Sequence, residues 1–322
     1  MSDLYQTQWQ GWDAWALENS TLRIVTIPEL GAKLVSLLDK RNQLEWLAAP
    51  GERPLNKAPY GATFTDQDMS GWDDMFPTIV ACDYPGTGDR HAVALPDHGE
   101  VWTMPWSVEK ANEGTLTLSV SGQALPYRLR RSLAFNAANV LQLSYQVDNL
   151  GQDALPFLWA AHPQFACGLD TEIVLPAHVN QVCNTLPASW GWGEPETRFG
   201  WPEALRPDGS PRRLDRVGPP ELHRARKFFV PPEITAGWAS LVRLPEGDWL
   251  RMAWEADIPL YLGVWVDEGA LNSASVAAIE PMTGFYDSLM VAWEKNLVSI
   301  LGPSARASWR LTVQTGVGAQ AN

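Results

Sequence analysis

Two histidines and one glutamate carry the clearest chemical signal in the chain. His162 stands in Ala160-Ala-His-Pro-Gln-Phe165 at the end of an apolar stretch, and Glu280 ends the apolar run Ser275-Val-Ala-Ala-Ile279. His98 stands in Leu95-Pro-Asp-His-Gly-Glu100, beside a glycine that lets backbone approach a ligand closely. An imidazole titrates near neutrality, and a carboxylate drawn into apolar surroundings is raised toward it. Together they suit a reaction that delivers a proton to one oxygen and removes one from another. A lone buried glutamate is as readily a structural ion-pair partner as a base, so the combination carries the reading. His91, His178 and His223 fall in polar or connecting sequence and read as surface or structural residues.

Other chemistries lose their support. The chain has no GxSxG elbow, P-loop, GxGxxG turn or HExxH helix. The acidic group Asp66, Asp68, Asp73, Asp74 misses the EF-hand pattern and reads as a solvated loop, not a metal site. Within it, Gly71-Trp-Asp-Asp-Met-Phe-Pro77 suggests an ordered turn presenting an indole, Trp72, and a carboxylate, Asp73 or Asp74, to a ligand. Cys82, Cys167 and Cys183 form neither a disulfide framework nor a zinc pattern, and a reducing cytoplasm is expected. A net charge of −13 disfavours nucleic acid and anionic membrane. No apolar run reaches the ~18 residues of a membrane helix, and the first residues lack the pattern of a signal peptide. No metal or organic cofactor is expected.

The elements that must position these residues read as strands. Alternating or β-branched segments bounded by Gly, Pro, Asn and Asp occur at Thr21–Ile27, Thr115–Ser121, Tyr127–Phe135, Val140–Asn149 and Ala154–Ala160. They recur at Ala239–Leu244, Trp249–Glu255, Leu260–Val266, Ser275–Glu280, Leu289–Trp293 and Arg306–Gln314. Asn136–Asn139 and Pro245–Asp248 read as hairpin connections. So many antiparallel strands must bury their apolar faces against a second sheet, which predicts an all-β large sandwich. The 17 tryptophans fill its core for the most part, with a few left to line a groove. Two long Pro- and Gly-rich stretches, Ala48–His98 and Pro187–Pro232, read as ordered loops covering something. The arginines of the second read as a solvated surface, with an anion site as the alternative.

The chain resembles the galactose mutarotase-like, or aldose 1-epimerase, proteins in Gly31-Ala-Lys-Leu-Val-Ser-Leu-Leu38, Gly71–Pro77, Asp97-His-Gly99, Asn149 ahead of Pro156, His162-Pro-Gln-Phe165 and Ile279-Glu-Pro-Met-Thr-Gly284. The resemblance implies one antiparallel β-supersandwich domain over residues 1–322. It also implies a hexose or modified hexose whose ring is opened and reclosed, with His162 as acid, Glu280 as base and His98 holding the sugar. The family's sugar-binding arginine has no match in Tyr60–Asp66, where Asp73 and Asp74 stand nearby. Its sugar-binding aspartate is also unmatched, and Lys227 stands in that region beside Arg224 and Arg226. A non-catalytic carbohydrate-binding protein, or a mutarotase for a phosphorylated or sulfonated sugar, are the alternatives. The sequence leaves the oligomeric state open.

Overall fold

The structure is a computed structural model and describes residues 2–318, apart from 138, 169 and 206–208. Two large antiparallel sheets face each other, one of 13 strands and one of 9. This is the all-β sandwich that the strand pattern predicts.

Sequence periodicity separates the two sheets. In the smaller sheet, Tyr127–Ala137 and Val140–Asn149 alternate buried and partly exposed positions almost without a break. Leu129, Leu133, Leu141 and Leu143 thus face the partner sheet, while the alternate residues face outward. In the larger sheet, the central strands Trp72–Met75, Ala160–Pro163 and Ser275–Met282 are buried at every position. One face of these strands meets the smaller sheet and the other lies under loops, so their sequences run apolar rather than alternating. A polar residue on the loop-covered face is therefore buried yet outside the inter-sheet core.

Both hairpins form: Ala137 pairs with Val140, and Arg243 pairs with Asp248. Three expectations change. Leu289–Trp293 is not a strand but the start of an α-helix, Leu289–Glu294, capped by Ser288 Oγ accepting from Val291 N, with Leu289 and Ala292 buried one turn apart. Ala154–Ala160 divides into Leu155–Phe157 and Ala160–Pro163 on different sheets, because Trp159 N turns to donate to Thr283 Oγ1 at 2.7 Å. Trp72 to Asp74 form a buried strand, not a turn. The edge hairpin Asp3–Trp9 with Trp12–Glu18 has no counterpart in the expected strands, since its mixed polar positions carry little apolar periodicity.

Candidate active site

Register brings the site together before any side chain is considered. His162 is the cross-strand partner of Asp73, and Glu280 is the partner of Gly263. The pairing of Ala160 with Met282, followed two residues along each strand, sets His162 beside Glu280. Likewise the pairing of Leu34 with Trp72 sets Lys33 beside Asp73. Directly opposed residues share a face of the sheet, so Lys33, Asp73, His162 and Glu280 form one row on the loop-covered face. The row continues to Gly263, which lies diagonal to Lys227 on the next strand. A Cβ there would stand 3.4 Å from Lys227 Cε.

The chemistry concentrates between His162 and Glu280. His162 Nε2 lies 3.8 Å from Glu280 Oε1, too far for a hydrogen bond, and Oε1 has no partner among the described residues. The other oxygen, Oε2, accepts from Lys227 Nζ at 2.6 Å, and the same ammonium donates to Asp287 Oδ1 at 2.7 Å. Burial pushes Glu280 up to about 7 against the pull of Lys227. Burial opposes the charge on Lys227 as well, but Asp287 and Glu280 outweigh it and hold the ammonium protonated. His162 is held well below the usual histidine range by burial first, then by His98 and the two lysines. Gln164 Nε2 stands 3.3 Å from His162 Nδ1. That contact engages Nδ1 and leaves Nε2 as the ring nitrogen facing Glu280.

His98 enters from a loop above the row. It adopts a left-handed backbone, φ 57°, and its N–H donates to Ile79 O. Gly99 follows at φ 71°, and a Cβ there would lie 2.2 Å from Phe76 O, so only glycine fits at position 99. His98 Nδ1 lies 3.0 Å from Asp97 Oδ1. Phe64 stacks on His98 with centroids 4.3 Å apart and meets His162 edge-on at 5.0 Å. The first long loop thus covers the site, through Phe64.

The structure brings His98, Asp73, Lys227, His162 and Glu280 to this face, and it removes Trp72 and Asp74 from it. Alternation points Asp74 between the sheets, where Arg131 Nη1 and Tyr145 OH donate to it at 2.8 and 3.0 Å. Trp72 is fully buried against Phe165. Lys33 and Asp287 are the residues that sequence reasoning missed. Lys33 Nζ lies 2.9 Å from Asp68 and 3.0 Å from Asp73, and Gly31-Ala-Lys was visible only as part of a family pattern. Asp287 follows the Glu280 strand by a turn that no local motif marks. Its carbonyl also accepts from Ile79 N and Val80 N, tying the Lys227 contact to the segment that holds His98.

Four arginines of the second long stretch are paired with carboxylates. Arg224 and Arg226 both engage Glu268, Arg213 engages Asp215, and Arg216 reaches Glu172 at 3.3 Å. Arg226 alternates with Lys227 along its strand and so points to the other face. Among the described residues, no three His, Cys, Asp or Glu side chains group closely enough to hold a metal ion. Among the same residues no helix is long and apolar enough to cross a membrane.

The sequence model described as aldose 1-epimerase matches residues 13–217. A galactose mutarotase-like protein from Lactobacillus casei superposes with a TM-score of 0.66 at 17% identity, covering 98% of this chain and 100% of its own. A protein of Synechocystis sp. does so at 0.72, also at 17% identity and with the same coverage. A galactose mutarotase related enzyme from Lactobacillus acidophilus gives 0.67 at 16% identity, covering 94% of this chain and 97% of its own. A search of curated proteins gave no match.

Proposed function

The chain belongs to the aldose 1-epimerase family, and on that premise we propose that it interconverts the anomers of a neutral pyranose, with Glu280 as base and His162 as acid. The observation that carries this is the free Glu280 Oε1 facing His162 Nε2 across 3.8 Å. An acceptor and a donor so placed fit the two oxygens that share the anomeric carbon. Glu280 takes the proton from O1 while His162 gives Nε2–H to the ring oxygen as the C1–O5 bond breaks, which leaves Glu280 protonated and His162 as an imidazolate until both protons return. A neutral imidazole is competent to polarise an oxygen in this way. Rotation about C1–C2 and reversal of both transfers closes the other anomer. Atoms and charges balance without any added group.

His98, held by Asp97 and Phe64, and Lys227, with one N–H left after its two carboxylates, are placed to hold sugar hydroxyls. Asp73 adds an acceptor from the same row, and burial raises it to about 6. The whole of residues 1–322 serves as one domain in this reading, since one buried cluster runs from Leu17 to Val313 across both sheets. A charged sugar is disfavoured. Asp68, Asp73, Asp97, Glu280 and Asp287 surround the site against Lys33 and Lys227, and the nearby arginines are occupied.

The test is anomer exchange by NMR on free, 6-phosphorylated and sulfonated hexoses. Exchange of a neutral sugar above the buffer rate, lost in Glu280→Gln, is the expected result. Exchange confined to an anionic sugar would overturn the neutral-substrate part, and binding without exchange in the wild type would overturn catalysis.

A further inference from the structure

We propose that the loop 185–197 and Trp265 form a second sugar subsite, so that the sugar handled at Glu280 is the reducing end of a disaccharide. This rests on the function proposed above and adds a residue set that the reaction itself does not use.

Trp265 lies on the same face as Gly263, directly across from Lys227 on one side and Ala278 on the other. It is therefore the diagonal neighbour of Glu280, about 7–8 Å along the sheet, a spacing on the scale of one sugar residue. Ala278 puts only a methyl between them. Trp190 meets Trp265 edge-on, with centroids 5.9 Å apart at 73°, so the two indoles form a corner beside the reacting pair.

Trp190 is 38% exposed and is the one exposed tryptophan among the described residues. A single exposed apolar side chain on a loose loop calls for no explanation. This loop is braced at several points. Asn184, fully buried, donates to the carbonyls of Leu186, Gly193 and Glu194 and accepts from Leu186 N. Trp192 is buried against Phe228, and its Nε1 donates to Ala225 O. Glu196 accepts from Tyr286 OH at 2.7 Å and pairs with Lys295 at 2.8 Å. Tyr286 immediately precedes Asp287, which holds Lys227. The loop is thus fixed from Tyr286 at one end to Trp265 at the other, along one side of the Lys227–Glu280 pair.

A fixed, partly exposed indole suits the apolar C–H face of a pyranose, and hydroxyls at the ring edge need polar partners. A cleft of about 350 Å³ bounded by Trp190 and Trp192, on whose ring Arg212 stacks, offers Ser189 and His223 for that purpose. Binding energy from a sugar that does not react can hold the reacting one in place.

The test compares glucose with its reducing disaccharides maltose, cellobiose and lactose, by NMR anomer exchange and by calorimetric titration, for wild type, Trp190→Ala and Trp265→Leu. At least one disaccharide should exceed glucose in kcat/KM by about tenfold, and that ratio should fall toward one in both variants. Wild-type preference for glucose, or a ratio untouched by Trp190→Ala, would overturn the subsite. If no sugar is turned over, the proposed catalysis fails separately. Calorimetry then decides the subsite, since disaccharide binding weakened about tenfold by Trp190→Ala supports it and equal binding of glucose and disaccharides sinks it.

Discussion

Asp73 and Asp74 are neighbours on one strand, yet Asp73 joins the row with His162 and Glu280 while Asp74 points between the sheets. The two faces use the same materials: buried carboxylates, a buried cation and aromatic rings. On the inner face both oxygens of Asp74 are filled. Arg131 takes one oxygen of Asp74 and Tyr145 the other, joining a strand of the larger sheet to two strands of the smaller. On the outer face Lys227 takes one oxygen of Glu280 and the second is left empty beside His162. A closed network converts burial into cohesion. An open one leaves a raised carboxylate with an unmet hydrogen bond, which a substrate hydroxyl can satisfy.

The contrast breaks most sharply under substitution of one carboxylate at a time. Glu280→Gln keeps the shape and the Lys227 contact but removes the base, so anomer exchange should fall by about a thousandfold while the thermal unfolding midpoint hardly moves. Retained exchange would return Glu280 to the structural class. On the inner face, Arg131→Met strands Asp74 without its cation and should cost about 3–5 kcal/mol of stability, read from urea unfolding, with activity per folded molecule kept. Loss of exchange at unchanged stability would show that the two faces are not separable.

The same contrast explains how far the sequence could be read. The alternation in Tyr127–Ala137 and Val140–Asn149 is physically required of strands with one wet face, so that sheet was legible. His162 and Glu280 were legible because a polar residue closing an apolar run of sequence is conspicuous. The sides taken by Asp73 and Asp74 were hidden, since both lie in a strand buried on both faces and no alternation marks which is which. Lys33 and Asp287 were hidden for another reason. Their meaning comes from cross-strand register and from a turn, contacts between residues far apart in the chain. The helix at Leu289–Glu294 was misread because an apolar run that short has no distinguishing period, and the Ser288 cap was the only cue.

His98 stands between the two extremes. It is anchored like a structural residue, with Nδ1 near Asp97 and its ring on Phe64, yet it lies edge-on to His162 with centroids 5.3 Å apart. If its work is to hold the sugar, His98→Asn should raise KM by about tenfold and lower kcat much less. An equal fall in kcat and kcat/KM would instead make it part of the proton transfer.

The smallest expected effect is a displaced pH profile, and it tests what leaves Glu280 poised. The base must be ionised to accept the O1 proton, and its value is raised to about 7, so kcat/KM should climb between about pH 6 and about pH 8 and then level. His162 is held well below its usual range and stays neutral throughout, so it adds no second limb there. Lys227 favours the ionised form of Glu280, opposing burial and the negative charge of Asp287. In Lys227→Met both remaining influences act upward, and the rising limb should move to higher pH, with exchange reduced at neutrality and recovered in alkali. Asp74→Asn removes a charge from the other face and should leave the limb in place. A limb that stays put in Lys227→Met would mean that the ammonium holds the sugar without tuning the base, and the outer face would then owe its reactivity to burial alone.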